Sequence, residues 1–307
     1  MTRAVIDTGI TAPLLSYVGS KFRVAAWVLS HLPEHDIYVE PFGGSAAVLL
    51  QKPRSRVEIY NDLDGEIVNL FRVLRDDVLR ERLIEALEMT PYARAEFDAA
   101  WANTDEPVER ARRLCVRAQM GFSSVGSTRP LHAPIGFAAD VWSDGPGQWR
   151  RYPGRLGPIS ARLRGTMIEN MSAVELIARY DAPGVLFYVD PPYLPEVRNS
   201  VSRGMGRDYR CEMSTFEHAD LLAMLANLRG MAVVSGYASE MYERALAGWA
   251  RFTRKTRANG QAGTVAREEV IWISPSACAA AGIEPRKVER FDVIDELPLF
   301  AVAGVRG

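Results

Sequence analysis

The feature that most constrains this chain is a series of short apolar runs that alternate with amphipathic segments. Runs of this kind, rich in aliphatic side chains, are typical of strands buried on both faces of a parallel sheet. The sequence holds six of them, at 37–40, 57–61, 166–169, 185–189, 231–235 and 270–274. Strands that alternate with helices predict an α/β protein with a doubly wound, mostly parallel sheet.

Helix signals stand between most of these runs. Residues 21–32 carry apolar side chains on one helical face, and a serine followed three residues later by a glutamate opens the patterns 172–180 and 214–228. Such a pair forms a capping box, in which each side chain satisfies a backbone N–H at the start of a helix. We also expect helices over 45–51 and 65–74, the second capped by Asp64.

The alternation of strands and helices breaks between about residue 76 and residue 165. Helical patterns at 76–90 and 92–120 come first, and a stretch rich in Gly, Pro, Ser and Trp follows from 121 to 158. Long irregular stretches inside compact domains are usually functional or disordered. We therefore predict an α/β domain formed by 1–75 and 166–307, with an inserted, mainly helical module at 76–165.

Charge is distributed unevenly along a chain whose net charge is only −1. Residues 110–164 contain ten arginines and two aspartates, and residues 251–267 contain four arginines and one lysine without an acid. Basic segments indicate a polyanionic partner such as nucleic acid. The residues that we expect to contact it are Arg129, Arg150, Arg151, Arg254, Lys255 and Arg257.

Composition excludes several other classes. The three cysteines are far apart, which favours a reducing compartment, the cytoplasm, and argues against a structural zinc site. The four histidines lack metal-ligand spacing, so we expect them at the surface or at helix caps and predict no metal ion. No apolar window of about 18 residues occurs, and the N-terminus lacks the build of a secretory signal, so no membrane partner is expected.

The most specific motif is Asp190-Pro191-Pro192-Tyr193, which follows the apolar run 185–189. It therefore lies at the carboxyl end of a predicted strand, where open α/β sheets bind ligands. Prolines stiffen the turn and donate no N–H, but their carbonyls remain acceptors. Asp190 adds a carboxylate and Tyr193 a flat ring, so the motif matches the amine and the π-face of a nucleobase. The alternative is a rigid turn with a tyrosine at the surface.

A second strand-end loop, at 39–45, contains Glu40, Phe42, Gly43 and Gly44. Glycine lets a ligand approach the backbone closely. The loop lacks the GxxxxGK[ST] and GxGxxG spacings of phosphate-binding loops, so it suits a nucleoside without phosphates, although a plain strand–helix turn is the alternative. Asp62 ends the next strand, at a position where an acid commonly binds ribose hydroxyls.

Together these landmarks resemble the D12 class, or Dam-like group, of N6-adenine-specific DNA methyltransferases. Asp-Pro-Pro-Tyr is the catalytic motif of amino-directed DNA methyltransferases, and the order of cofactor loop, insertion and catalytic motif is that of the group. Tyr17 stands where the group has a tryptophan, which keeps a flat ring. The segments that carry the resemblance are 16–21, 38–45, 59–64, 190–193, 213–214 and 268–272.

The resemblance implies the fold of the S-adenosylmethionine-dependent methyltransferases, with S-adenosylmethionine as cofactor and double-stranded DNA as substrate. It makes 76–165 the target-recognition module and makes Asp190, Pro191 and Tyr193 the residues that act on an adenine flipped out of the duplex. The residues that it assigns to the cofactor site, with those of the two strand-end loops, are Tyr17, Lys21, Glu40, Phe42, Gly43, Gly44, Asp62 and Asp190.

Three alternatives stay open: N4-cytosine methylation, methylation of RNA adenine, and a non-catalytic DNA-binding role. Asp-Pro-Pro-Tyr fits amino methylation in general, so the motif does not by itself exclude cytosine. A restriction endonuclease of the same system is a candidate partner.

One departure from the group concerns the insertion. Members that read GATC carry an Asn-Gly-Leu-Cys-Arg type of run there, with an arginine able to reach base edges. The corresponding stretch here, 120–127, has small residues in place of that arginine, and Arg129 is the nearest substitute. An arginine bound to guanine contributes roughly 1–3 kcal/mol of discrimination. We therefore expect a target other than GATC, unless Arg129 does the same job.

Overall fold

A seven-stranded sheet organises the chain in a computed structural model that describes residues 8–139, 143–194, 209–260 and 263–284, without the side chains of 257–267. The order across the sheet is β3-β2-β1-β4-β5-β7-β6, in which β1 to β5 are parallel and β7 is antiparallel to β5 and β6. The predicted mostly parallel α/β sheet is therefore confirmed. The strands are β1 (Ile37–Glu40), β2 (Val57–Asn61), β3 (Thr166–Glu169), β4 (Val185–Val189), β5 (Met231–Gly236), β6 (Ala250–Gly260) and β7 (Gly263–Ile273).

The central strands are buried on both faces. Tyr38 and Tyr188 belong to one apolar cluster, Val39 and Phe187 belong to a second, and all four side chains are buried. Neighbouring residues of a strand point to opposite faces, so a strand covered on both sides needs apolar residues in succession. This is why the runs in the sequence are continuous rather than alternating.

Twelve α-helices accompany the sheet within the described residues. The helices are α1 (Ala25–Leu29), α2 (Ala47–Gln51), α3 (Gly65–Arg75), α4 (Asp77–Met89), α5 (Arg94–Ala99), α6 (Pro107–Met120), α7 (Gly145–Arg151), α8 (Leu156–Leu163), α9 (Ala173–Tyr180), α10 (Thr215–Ala226), α11 (Glu240–Ala245) and α12 (Pro275–Ala281). None of them is long and apolar enough to cross a membrane.

Helix starts that depend on a capping side chain are predicted correctly. The Asp64 carboxylate accepts from the N–H of Glu66 at the start of α3. Ser214 and Glu217 form a complete capping box on α10, whereas at α9 the Ser172 side chain accepts one backbone N–H. Caps act within one turn of the chain, so the local sequence is sufficient to locate them.

Two other predicted starts are wrong. The helix expected over 21–32 is shorter, because α1 begins at Ala25 and Lys21 precedes it. The helix expected over 45–51 begins at Ala47, after Ala46 adopts a left-handed conformation with φ 54°. The second error lies beside the loop that follows β1, whereas the first lies in a segment that precedes every strand.

The segment between α3 and β3 is largely helical, and buried ion pairs join it to α3 and to β2 of the sheet. Arg117 of α6 donates to Glu66 of α3 at 2.7 Å, and Arg162 of α8 donates to Glu58 of β2 at 2.6 Å. The helix expected over 92–120 is two helices, α5 and α6, and the stretch expected to be irregular contains α7. A separate module with the limits 76–165 stays a prediction, since these helices share an apolar cluster with the sheet.

Strand β6 is the strand of the described sheet that the sequence did not predict. It pairs with β7 from Ala250↔Ile273 to Gly260↔Gly263, whereas β5 pairs with only four residues of β7, Val270 to Ile273. Because Gly236 ends β5 and pairs with Val270, the rest of the β6–β7 pair extends past the carboxyl end of β5. The segment 251–267, predicted only as basic, thus lies largely on two paired strands on the ligand-binding side of the sheet.

Candidate functional site

A cavity of about 340 Å³ lies at the carboxyl ends of β1, β2 and β4. Strand order reverses between β1 and β4, and this switch point is where doubly wound sheets bind ligands. The cavity brings together every residue predicted for the cofactor site and for catalysis: Tyr17, Lys21, Glu40, Phe42, Gly43, Gly44, Asp62, Asp190, Pro191 and Tyr193. Their roles remain predictions, but their common location follows from the fold.

The loop after β1 requires glycine at two positions. A Cβ on Gly43 would lie 2.0 Å from the Tyr60 ring, so no side chain fits there. Gly44 has φ +48°, and a Cβ on it would lie 2.9 Å from the Tyr17 ring. The Gly44 carbonyl accepts from the Tyr60 hydroxyl at 2.7 Å. The glycines therefore let the backbone pass between two aromatic rings at the edge of the cavity.

Asp62 joins the loops that follow β1 and β2. Its carboxylate accepts from the Gly44 N–H at 2.7 Å and from the Asp64 N–H at 2.8 Å. Burial and the neighbouring Asp64 carboxylate raise the pKa of Asp62 to about 6. A carboxylate held by two backbone donors keeps further lone pairs for a ligand hydroxyl.

Glu40, at the end of β1, is a deeply buried acid of the cavity and is 2% exposed. Burial and then the Asp190 carboxylate raise the pKa of Glu40 well above its usual range. Among the described residues that line the cavity, seven are acidic and two, Lys21 and Arg210, are basic. Each of those two cations is already paired, with Asp190 and Asp64 respectively, so the cavity favours a cationic ligand.

Asp190 is fixed from two sides at the end of β4. Lys21 Nζ donates to Oδ1 at 2.7 Å and to Oδ2 at 2.9 Å, and the Ser235 hydroxyl donates to Oδ1 at 2.8 Å. A carboxylate has about four lone-pair sites. These three bonds therefore leave one acceptor site, on Oδ2, in a residue that lines the cavity.

Tyr193 is held through its hydroxyl. Lys21 Nζ donates to that oxygen at 2.6 Å, and the hydroxyl donates to Glu269 Oε1 at 3.0 Å. The Tyr193 ring also contacts the Tyr237 ring, with 4.3 Å between centroids. Burial and then the Glu269 carboxylate raise the pKa of Tyr193 well above its usual range, so the hydroxyl keeps its proton. The ring is therefore fixed at both its face and its tip.

Sequence reasoning missed three side chains around this site. Ser235 of β5 donates to Asp190, and Glu269 of β7 accepts from Tyr193. Arg210 pairs with Asp64. A polar residue within an apolar run was the available signal for Ser235, and the segment 268–272 had been noted only as a family landmark. Arg210 follows residues that lie outside the described ranges, and no local pattern marks it.

Five of the six residues predicted to contact nucleic acid lie outside the group that lines the cavity: Arg129, Arg150, Arg151, Arg254 and Lys255. Arg150 and Arg151 are exposed on α7, and Arg254 and Lys255 are exposed on β6. The Arg129 side chain is only 7% exposed, and its carbonyl accepts from Arg210 at 2.8 Å. The side chain of Arg257 lies outside the described residues.

The basic character inferred for 110–164 is largely cancelled in three dimensions. Carboxylates from outside the counted segment pair with most of its arginines: Glu66 with Arg110 and Arg117, Glu109 with Arg112 and Arg113, Glu58 with Arg162, and Asp77 with Arg164. Arg151 pairs with Asp144. A charge count along the chain therefore overestimated the positive surface of this segment.

The expectation that the histidines lie at the surface or at caps is wrong for His218. This residue is fully buried on α10, and its Nδ1 lies 2.8 Å from the Tyr242 hydroxyl. Within the described residues, no group of three or more His, Cys, Asp or Glu side chains could hold a metal ion.

Comparison with known proteins identifies one family. Residues 17–113 match the model of the D12 class N6 adenine-specific DNA methyltransferases, so the resemblance predicted from the sequence is confirmed over that part of the chain. The matched part contains the loops after β1 and β2 and ends before Asp190. A search of curated proteins gave no match.

Among solved structures, the chain is similar to precorrin 8w decarboxylase from Methanobacterium thermoautotrophicum. The sequence identity is 12%, the TM-score is 0.31, and the match covers 82% of this chain and 88% of that one.

Proposed function

We propose that this protein is a DNA methyltransferase that transfers a methyl group from S-adenosylmethionine to the N6 amine of an adenine in double-stranded DNA. The observation that carries the proposal is the open acceptor site on Asp190 Oδ2. This site lies in a cavity lined by the loops after β1 and β2, which belong to the part of the chain that matches the D12 class. The match to the family suggests methylation of DNA adenine, and the chemistry of the cavity is consistent with it.

The residues of the cavity fit the proposed cofactor. Asp62 offers lone pairs to ribose hydroxyls, the loop of Gly43 and Gly44 lines the cavity, and the excess of acids suits a cation. When bound, S-adenosylmethionine supplies a methyl carbon on a cationic sulfur, which leaves as a neutral thioether. Glu40 and Asp62 are the carboxylates that would hold it, because the other buried acids already have cationic partners.

Asp190 and Pro191 would act on the target amine. The lone pair of the amine is delocalised into the adenine ring, which makes the nitrogen a weak nucleophile. Accepting its two N–H bonds at Asp190 Oδ2 and at the Pro191 carbonyl favours a pyramidal, more nucleophilic nitrogen. Lys21 holds the Asp190 carboxylate through both of its oxygens, and Oδ2 would then take the surplus proton of the methylated amine.

Tyr193 would hold the base after it leaves the duplex. Flipping a base out costs a few kcal/mol, and stacking on an aromatic ring offsets part of that cost. Exposed cations on α7 and β6 would bind phosphates, which position the protein on DNA but do not specify a sequence.

The test is transfer of a tritiated methyl group to DNA that lacks methylated bases, followed by nucleoside analysis. We expect label in N6-methyladenine, with no label when Asp190→Ala is used at an unchanged thermal midpoint. Label in N4-methylcytosine, or transfer to RNA but not to DNA, would replace the proposed substrate. Binding of DNA without any transfer would show the non-catalytic role.

A further inference from the structure

Glu269 is a buried carboxylate that joins two parts of the site without lining the cavity. It comes from β7, far along the chain from Lys21, Asp190 and Tyr193, and it is 5% exposed. Its Oε1 accepts from the Tyr193 hydroxyl at 3.0 Å and lies 3.4 Å from Lys21 Nζ. Burying a carboxylate is costly unless it is paired and hydrogen-bonded, so this placement needs a reason.

The contacts of Glu269 form a closed triangle with two residues of the proposed machinery. Lys21 Nζ donates to the Tyr193 hydroxyl at 2.6 Å, and that hydroxyl donates to Glu269. The hydroxyl therefore has a fixed donor and a fixed acceptor, which together set the rotation of the Tyr193 ring. Lys21 in turn lies between two carboxylates, with Asp190 at 2.7 Å and Glu269 at 3.4 Å.

The register of β7 directs the Glu269 side chain to this side of the sheet. Residues two apart on a strand share a face, and Ile271 and Ile273 belong to the apolar cluster that contains Tyr38 and Tyr188. Val270 and Trp272 belong to the other cluster. The preceding residue, Glu268, is exposed and lies on the opposite face, so two adjacent glutamates have different surroundings.

We propose that Glu269 is a positioning residue for methyl transfer, which acts by holding the Tyr193 ring through its hydroxyl. The proposal rests on the function proposed above, in which Tyr193 stacks on the target base. A ring anchored at its hydroxyl presents its face to the base in one orientation. Without the anchor, the ring has to be ordered when the base arrives, and the transfer step slows.

The experiment is a double-mutant cycle of Glu269→Gln and Tyr193→Phe, with Glu268→Gln as matched control. Single-turnover methyl transfer to unmethylated DNA is measured at saturating S-adenosylmethionine, and the dissociation constant of S-adenosylmethionine is measured by calorimetry without DNA. The thermal midpoint of each variant is compared with that of wild type to check that the variant is folded. If wild-type protein transfers no methyl group, the proposed function fails and the role proposed for Glu269 falls with it.

We expect Glu269→Gln to slow transfer about tenfold, the scale of one hydrogen bond to a charged group. The same substitution in the Tyr193→Phe background should change the rate by less than about twofold, because the hydroxyl on which it acts is gone. The dissociation constant and the Glu268→Gln control should also stay within about twofold of wild type.

Two results would overturn the proposal. One is a wild-type transfer rate in Glu269→Gln. The other is a double variant whose rate is reduced by the product of the two single reductions, which would indicate that Glu269 acts independently of the Tyr193 hydroxyl. If Glu269→Gln does not fold, Glu269→Asp keeps the charge but withdraws the carboxylate by one methylene, and the same loss of additivity with Tyr193→Phe is expected.

Discussion

Asp62 should make binding of S-adenosylmethionine depend on pH in a range where an ordinary aspartate does not titrate. Burial and Asp64 raise the pKa of Asp62 to about 6. Ribose hydroxyls donate hydrogen bonds, so the carboxylate must be ionised to accept them at full strength. A group with that pKa is about 97% ionised at pH 7.5 and about 9% ionised at pH 5, so the affinity should fall about tenfold between those values.

The assay is calorimetry of S-adenosylmethionine binding at several pH values without DNA, on wild type and on Asp62→Asn. The asparagine keeps the shape and one acceptor oxygen but cannot ionise. We expect it to weaken binding at pH 7.5 by about 1–3 kcal/mol, the scale of a hydrogen bond to a charged group, and to flatten the dependence on pH. Asp36→Asn is the matched control, since Asp36 is exposed at the other end of β1.

The reasoning is refuted if Asp62→Asn binds as tightly as wild type at pH 7.5. An affinity that falls equally steeply with acid in Asp62→Asn would assign the titration to another group. Glu40 and Asp64 are the candidates, because burial raises the pKa of both carboxyls as well. The comparison of the two variants therefore separates the ribose contact from the general acidity of the cavity.

Three further predictions concern other parts of the molecule. Tyr193→Ala should slow methyl transfer far more than Tyr193→Phe, which keeps the ring and loses only the bonds to Lys21 and Glu269; equal rates in a single-turnover assay would argue against stacking on the base. Glu66→Ala should lower the free energy of unfolding by about 3–5 kcal/mol, because Arg117 stays buried without its carboxylate. Glu109→Ala, which removes a more exposed carboxylate, should lower the free energy of unfolding by at most about 1 kcal/mol. Urea denaturation measures both. Sequencing of DNA from cells that express the protein should find methyladenine outside GATC, and methyladenine confined to GATC would contradict the specificity inferred from 120–127.

The sheet could be predicted from the sequence where burial decides the residue type. Strands β1 to β4 occupy the predicted ranges, because strands covered on both faces require unbroken apolar runs. Strand β6 has no such requirement beyond its first residues. It lies at the edge of the sheet, and Thr253, Arg254 and Lys255 are exposed, so its sequence resembles a charged surface segment rather than a strand.

The candidate site was predictable only for residues that stand in local motifs. Asp190 and Tyr193 adjoin a strand end, and so do Glu40 and Asp62. Lys21, in contrast, was predicted only through the family resemblance, because Asp190, which orients it, lies 169 residues further along the chain. The same limit applies to Ser235 and Glu269, whose importance lies in the strand order β4-β5-β7. It also applies to most of the arginines of 110–164, because their partners come from outside that segment.

The distribution of charge around the cavity suggests how a polyanion can deliver a substrate to an acidic site. Phosphates are repelled by a cavity in which acids outnumber bases, whereas a neutral base is not. Arg254 is opposite Glu269 in the β6–β7 register and is exposed, so a cation available to solvent lies one strand away from the buried carboxylate that anchors Tyr193. Under the proposed function, the DNA backbone would stay near exposed cations such as Arg254, while the base alone enters the cavity. To reach Asp190, a base that remained stacked in the duplex would have to bring its phosphates towards the carboxylates of Glu40 and Asp190. The charges therefore favour a base that is flipped out of the duplex.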